Sequence, residues 1–262
     1  MPHDPSETVC SSPSLAVIIA RAGSRGLANK SMQPLLGKPV IAWTLEHAAG
    51  CRCIDAVVLS SDCPRILELG RRFGVTVYER PAHRATDTAT IDDAARHGVE
   101  CWETEHDVRC GHVAILYGNV PVRPADLTDR AMRKLIDTGA DSVQSVYPVG
   151  KMHPWWMRTL GGESGDVLEM YHPNRIYRRQ DLPPVYMLDA GVLAVRRSSL
   201  FNVDPNEPHA FLGRDRRAIV TGEGDVVDVD TPLDLAIAEA VLRQKRQDAS
   251  SVPGEPALRA TA

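Results

Sequence analysis

Apolar positions along the chain fall into two alternating patterns. Leu15 to Ile19 is a continuous apolar run, and His112 to Tyr117 is nearly so, as expected of strands buried on both faces. The stretches between such runs carry apolar residues at helical spacing. Pro39 stands at a helix start and leads Val40, Ile41, Thr44 and Leu45 to Gly50, a C-terminal cap. Ala56 to Leu59 reads as the second strand, Pro64 to Phe73 as a helix ended by Gly74, and Val75 to Tyr78 as a third strand. Thr90 opens another helix with Asp93 in the capping-box position, and Ala125 to Ile136 repeats the helical spacing through Leu127, Ala131 and Leu135. Ser142 to Val149 alternates like a strand. Strands and helices in strict alternation predict an α/β fold, a mostly parallel sheet covered by helices.

The rhythm stops at about residue 150. From there to about 187 the chain holds several Pro and Gly, the pair Trp155 and Trp156, and the cations Arg175, Arg178 and Arg179, which predicts an excursion from the sheet. Regularity resumes at Gly191 to Val195, then Val226 to Val229, and a final helix from Pro232 to about Arg243. The ends, about 1–13 and 247–262, are rich in Ser, Pro, Gly and Ala and are expected to be flexible tails around one domain spanning 14–246.

Composition narrows the function classes. The 262 residues carry 30 Lys+Arg against 34 Asp+Glu, a net charge of -4, so no global field draws the chain to nucleic acid or anionic lipid. No apolar run approaches a membrane span, and the first residues lack the basic and apolar regions of a secretion signal, so a cytoplasmic protein is expected. Cys10, Cys51, Cys53, Cys63, Cys101 and Cys110 show no disulfide or zinc spacing and read as free thiols.

Ligands of open α/β sheets bind where strands end and loops begin. After the first strand comes Arg21-Ala22-Gly23-Ser24-Arg25-Gly26-Leu27-Ala28-Asn29-Lys30-Ser31. Glycines let main-chain N–H groups approach an anion, and Arg21, Arg25 and Lys30 neutralise several charges, a combination suited to a polyphosphate. It has neither the P-loop nor the dinucleotide spacing. The second concentration is Asp228-Val229-Asp230-Thr231-Pro232-Leu233-Asp234. In an extended segment Asp228 and Asp230 share a face, and such a pair suits Mg²⁺ completed by water and phosphate oxygens. Asp234 instead fits the first turn of a helix capped by Thr231. Arg80 to Thr90 is a polar loop whose hydroxyls suit a nucleotide or merely cap the next helix. Arg178-Arg179-Gln180-Asp181 presents cations to an anionic substrate or forms an exposed turn.

Taken in order, these segments resemble the acylneuraminate cytidylyltransferases, or CMP-sialic acid synthetases, of a nucleotidyltransferase superfamily shared with the CMP-Kdo synthetases. Ile19 to Ser31 (IARAGSRGLANKS) is similar to that family's PARGGSKGLPGKN-like loop, and Arg80 to Thr90 (RPAHRATDTAT) to RPAxLAxDxA. Arg178 to Pro183 (RRQDLP) is similar to RQxLP, and Asp228 to Asp234 (DVDTPLD) to IDIDTxxD. The resemblance runs from about Leu15 to Leu242. It implies a Rossmann-like three-layer α/β/α fold and transfer of CMP from CTP to the anomeric hydroxyl of a nine-carbon 2-keto sugar acid, with pyrophosphate released and Mg²⁺ required. It also implies a homodimer, in which the element carrying the RQxLP segment protrudes onto the partner.

By position, the resemblance implies nucleotide contacts from Arg21, Ala22, Gly23, Ser24, Arg25, Lys30, Ser31, Arg80 and Thr88. Asp228 and Asp230 become the metal ligands, and with Arg21 and Lys30 the catalytic group. Tyr117, Asn119, Arg179 and Asp189 fall on the sugar-acid side. Three of these depart from the family pattern: Tyr117 replaces the Gln of QPTSPLR, Asn119 lies within YGNVP, and Asp189-Ala190-Gly191 replaces NGA. A carboxylate at 189 is expected to repel a sugar acid unless a cation compensates. Activation of a nonulosonic acid therefore leads. Activation of another 2-keto sugar acid such as Kdo or pseudaminate, or a relative that binds without turnover, stays open.

Overall fold

The structure is a computed structural model describing residues 12–251 apart from 24, 25 and 87. Most of both expected tails lies outside the described residues. The elements are β1 (Ser14–Ile19), a short hairpin of β2 (Pro34–Leu35) and β3 (Lys38–Pro39), α1 (Val40–Ala49), β4 (Ala56–Ser61), α2 (Pro64–Arg72) and β5 (Thr76–Glu79). There follow α3 (Ile91–His106), β6 (His112–Tyr117), α4 (Leu127–Thr138), β7 (Ser142–Pro148), and the hairpin β8 (Arg158–Gly161) and β9 (Val167–Met170). The chain then forms β10 (Tyr186–Arg196), α5 (Arg197–Leu200), β11 (Arg216–Val220) and α6 (Pro232–Ser251).

Seven strands form the main sheet in the order β11-β7-β10-β6-β1-β4-β5. β1 runs parallel to β4 and β6, β4 to β5 and β7 to β11, while β10 is antiparallel to both its neighbours. The period-2 alternation of β1 feeds two cores. Ala16 and Ile18 pack with Ile41 and Leu45 of α1, Ile66 of α2 and Leu135 of α4, whereas Leu15, Val17 and Ile19 pack with Ala94, Val99 and Trp102 of α3. Helices thus cover both faces, the expected three layers. Each large aliphatic side chain buried this way contributes roughly 1.5–3 kcal/mol.

The capping expectations hold in detail. Thr90 Oγ1 accepts the Asp93 N–H at 3.3 Å at the start of α3, and Gly74 takes φ of 72° just after α2. At α6, Thr231 and Asp234 cap reciprocally: Asp234 Oδ2 accepts the Thr231 N–H at 2.8 Å and Thr231 Oγ1 accepts the Asp234 N–H at 3.2 Å. α6 also runs beyond Arg243, supported by the Glu239–Arg243 pair one turn apart.

One expected strand is absent. Residues 226–229 are extended but join no strand ladder; Val227 makes an isolated bridge to Val122, and the Val229 N–H donates to Asn119 O at 2.9 Å. The segment crosses from the end of the sheet into α6 instead of lying within the sheet. Its period of two survives: Val227 and Val229 are buried in a third core with Val40, Val122 and Leu242, and Asp228 and Asp230 turn away from it. The sheet is completed by β11, an edge strand that begins with two arginines and lacks a buried-strand pattern.

The excursion between β7 and β10 is built as a small arm. His153, 3% exposed, donates from Nε2 to Pro183 O at 3.0 Å and accepts the Trp155 N–H on Nδ1 at 3.1 Å, which closes its root. Trp155 stacks on His172 with ring centroids 5.2 Å apart. Beyond them the β8–β9 hairpin leaves Leu160 69% and Leu168 70% exposed. Among the described residues no helix is long and apolar enough to cross a membrane.

Candidate active site

A cleft of about 280 Å³ opens at the carboxyl ends of β1 and β6, on both sides of the point where the chain crosses the sheet. Its lining brings together Arg21, Lys30 and Ser31 from the loop after β1, Arg80 after β5, Thr90 and Ile91 at the start of α3, Tyr117 and Asn119 at the end of β6, and Asp228 with Asp230. Segments 200 residues apart in sequence meet here. Lys30 Nζ lies 2.5 Å from Asp230 Oδ1. Gly26 explains how the loop comes so near: a Cβ there would stand 2.6 Å from Asp230 O, so only glycine allows the approach.

Asn119 joins the two carboxylates. Its amide nitrogen donates to Asp228 Oδ1, and Asp230 Oδ1 lies 3.4 Å away. Burial, with the charge of Asp230 second, pushes the Asp228 carboxyl up to about 6, against the pull of Lys30 and Arg123. Burial, followed by the charges of Asp228 and Asp92, likewise raises the Tyr117 phenol to about 12, so it stays protonated and can donate. Among the described residues no hydrogen bond is made by that phenol.

Two oxygen-donor side chains brought together by Asn119, one of them half-buried, fit a hard divalent cation. Among the described residues no group of three or more His, Cys, Asp or Glu is arranged for a metal. A cation at this pair would therefore draw its other ligands from water and phosphate oxygens.

Other expected site residues have different surroundings. Arg80 lines the cleft, but its Nη2 donates to Ser60 O at 2.6 Å and Ala20 O at 2.8 Å, and its Nε to Ser60 Oγ at 3.2 Å. Burial lowers its pKa, with Asp62 and Asp93 opposing, so much of this guanidinium is spent bracing the ends of β1 and β4. The Ala22 N–H is taken by Asp62 Oδ1 at 2.8 Å, and Gly23 is exposed on the loop. Thr88 pairs its hydroxyl with that of Thr86 at 3.1 Å and is not in the cleft lining. Ser24 and Arg25 lie outside the described residues.

Asp189 borders a second cavity, of about 420 Å³, together with Tyr147, Glu223, Asp228, Asp234 and Ile237. That carboxylate also has partners within the fold. The carboxylate accepts from Ser145 Oγ, from Gly191 N at 2.9 Å and from Thr221 Oγ1 at 2.6 Å, which straps β10 to β7 and to the end of β11. Arg179 stands on the exposed arm, away from both cavities, beside an Arg178–Asp181 ion pair of 2.9 Å.

Sequence reasoning passed over Arg123. Its Nη1 donates to Val120 O at 2.5 Å and Thr44 Oγ1 at 2.9 Å, its Nη2 to Tyr117 O at 3.0 Å, and its Nε to Gly191 O at 2.6 Å. Burial pulls its pKa down to about 10, with Asp228 the first charge opposing. The one available signal was a lone cation between the apolar stretches Val120-Pro121-Val122 and Pro124-Ala125.

Residues 15–181 match the family model described as cytidylyltransferase. The chain belongs to the cytidylyltransferase family. Members of this nucleotidyltransferase family are enzymes, and cytidylyltransferases of this kind generally use a divalent metal ion. CMP-N,N'-diacetyllegionaminic acid synthase of Legionella pneumophila is 27% identical over 240 residues, 89% of this chain and 97% of its own. The pseudaminic acid cytidylyltransferase of Campylobacter jejuni is 25% identical over 90% of this chain and 98% of its own. N-acylneuraminate cytidylyltransferase of Streptococcus agalactiae is 30% identical over 66% of this chain but 40% of its own. In fold, the chain is similar to CMP:2-keto-3-deoxy-manno-octonic acid synthetase in complex with CTP, at a TM-score of 0.65 and 21% identity over 89% of this chain and all of that one. The cytidylyltransferase match ends at Asp181, short of the carboxylate pair, which the full-length relatives span.

Proposed function

We propose that this cytidylyltransferase activates a nonulosonic, sialic-type acid, transferring CMP from CTP to its anomeric hydroxyl with Mg²⁺ bound at Asp228 and Asp230. The observation that carries the reading is one cleft that gathers Arg21 and Lys30 with the carboxylate pair at the carboxyl edge of the sheet. The names of the similar full-length synthases support the substrate class.

The chemistry follows from charge. A carboxylated sugar must approach a polyanionic nucleotide, so the first barrier is electrostatic. Arg21 and Lys30 lower it by neutralising phosphate oxygens. Tyr117 presents its phenolic hydroxyl to the incoming sugar acid, and Asn119 holds Asp228 and Asp230 in one plane of approach. Bound Mg²⁺ would supply charge stabilisation at the α-phosphate and hold the phosphate oxygens in place. The remaining work is positioning, with the two reactants held in line.

The second cavity supports a further part of the reading. Its lining holds four carboxylates, Asp189, Glu223, Asp228 and Asp234, and no Lys or Arg. A sugar carboxylate bound near it needs a cation from elsewhere, and the arm carries Arg175, Arg178 and Arg179 beside exposed apolar side chains such as Tyr177, 93% exposed. We take the arm to pack on a second copy of the chain and deliver Arg179 to that copy's site. The enzyme then acts as a homodimer on soluble substrates, in the cytoplasm, with neither nucleic acid nor membrane as partner.

The test is Mg²⁺-dependent pyrophosphate release from CTP across N-acetylneuraminate, KDN, legionaminate, pseudaminate and Kdo. Turnover is expected with a nonulosonic acid. Preference for Kdo would move the substrate class. CTP binding without turnover of any acid would refute the activity.

A further inference from the structure

Arg123 lines neither cavity, yet its four hydrogen bonds reach segments that line both. On one side it grips the turn after β6: the carbonyls of Tyr117 and Val120 accept from its two Nη atoms, and Thr44 Oγ1, which accepts from Nη1, itself donates to the same two carbonyls at 3.1 Å. That turn carries Asn119, whose amide reaches Asp228 and whose carbonyl accepts the Val229 N–H. On the other side Nε holds the carbonyl of Gly191. Gly191 follows Ala190 in a break of β10 where Asp189, Ala190, Gly191 and Val192 stand opposite Ser145 alone. Asp189 and Ala190 line the second cavity. A guanidinium has five N–H donors in a fixed planar fork, and four are placed here on atoms from three elements.

Among the described residues no carboxylate lies within ion-pair distance of Arg123, so backbone carbonyls and one hydroxyl are what hold it in place.

We infer that Arg123 is a positioning residue that locks the turn bearing Asn119 to the break in β10 and so sets the two cavities in one register around Asp228. The inference rests on the carboxylate pair being the metal site proposed above. A lysine keeps the charge but cannot span from Tyr117 O to Gly191 O. A methionine keeps most of the volume and loses both charge and span. Both substitutions therefore break the span, and the lysine does so with the charge kept.

The experiment compares wild type, Arg123→Lys and Arg123→Met, each shown folded by near-ultraviolet circular dichroism. Mn²⁺ binding is titrated by electron paramagnetic resonance without CTP or sugar acid, and kcat and KM are then measured for both substrates. Both variants are expected to lose roughly 10–100-fold in kcat with the CTP KM within about threefold, the loss typical of reactants misplaced by about an ångström. Both variants are also expected to bind Mn²⁺ several-fold weaker, because the turn that sets Asn119 against Asp228 is loosened. If Arg123→Met fails to fold, Arg123→Lys still decides the register: kcat per folded molecule equal to wild type, with only the melting temperature lowered, overturns it. Mn²⁺ affinity equal to or tighter than wild type in the folded variants overturns it as well. Because Mn²⁺ is titrated without substrates, that readout stands even where no sugar acid in the panel is turned over.

Discussion

The two cavities share Asp228 and differ in nearly everything else. The cleft at the ends of β1 and β6 sets Arg21 and Lys30 against Asp228 and Asp230, while the cavity beneath β10 has four carboxylates and no basic residue in its lining. The first is furnished for a polyanion with a counter-ion. The second, for an acidic ligand, is electrostatically unfinished within one chain. Under the proposed function, the contrast makes the nucleotide half of the site intramolecular and leaves the sugar-acid half to a charge from outside, which would give the exposed arginine-bearing arm a purpose beyond its apolar surface.

The largest expected effect separates the halves directly. Asp230→Asn removes the exposed member of the pair and its contact with Lys30, so turnover should fall by about 10²–10³-fold. Stability should change by no more than about 1 kcal/mol, since an exposed ion pair contributes little. Arg179→Gln should instead raise the sugar-acid KM about tenfold or more and leave the CTP KM unchanged. Mixed in equal amounts, allowed to exchange subunits and assayed at a sugar-acid concentration well below KM, the two impaired variants should rise to about a quarter of wild-type activity, because half the dimers are mixed and each holds one intact site. No recovery on mixing, with exchange verified by sizing, would mean that each chain completes its own site.

A smaller effect probes the wall the cavities share. The Asp228 carboxyl is raised by burial and by Asp230 to about 6, above its ordinary value of 3.8. A raised carboxylate favours the folded state when protonated, so this contribution is full below about pH 4 and is lost as pH rises through about 6. Metal-free wild type should therefore lose thermal stability between pH 4 and 7 relative to Asp228→Asn, in which the group cannot titrate. Added Mn²⁺ should reverse the trend, raising the melting temperature more at pH 7 than at pH 5, because it binds the ionised form. Parallel pH profiles for the two proteins would show that Asp228 is not desolvated.

These contrasts mark where sequence reading succeeds and where it stops. β1 and β6 were legible because a strand buried on both faces must be a continuous apolar run, and the cationic loop was legible because glycines and cations cluster directly after β1. The pairing of Asp228 with Asp230 survived even though their segment is no strand, because an extended chain keeps its period of two whether or not it joins a ladder. β11 was not legible: an edge strand beginning Arg216-Arg217 needs no apolar pattern. The roles of Arg80, Arg123 and Asp189 were hidden for another reason. Each is decided by backbone carbonyls and hydroxyls brought close only by the tertiary fold, and a charged residue in a sequence gives no sign of whether it will face a ligand or brace two strands.

The smallest effect concerns that brace. Ala190 has φ of 60°, in the left-handed region where a Cβ costs about 1–2 kcal/mol. The strain is tied to the break in β10 that turns Gly191 O toward Arg123 and the Asp189 carboxylate toward Ser145 and Thr221. Gly191 cannot relieve it by exchanging places with a larger residue, since a Cβ there would meet Leu127 Cδ2 and Ser145 Oγ at 2.8 Å. Ala190→Gly removes the clash and gives back about 0.5–1 kcal/mol in unfolded-chain entropy, leaving a net gain of about 0.5–1 kcal/mol. The melting temperature should rise by roughly 2 °C. A fall instead would mean that the backbone at 190 is not strained. Because Ala190 lines the carboxylate-rich cavity and not the cleft that holds Arg21 and Lys30, a loosened break should also reach the sugar-acid KM before it reaches that for CTP. Equal changes in both would argue that Arg123 transmits the loosening across the shared wall.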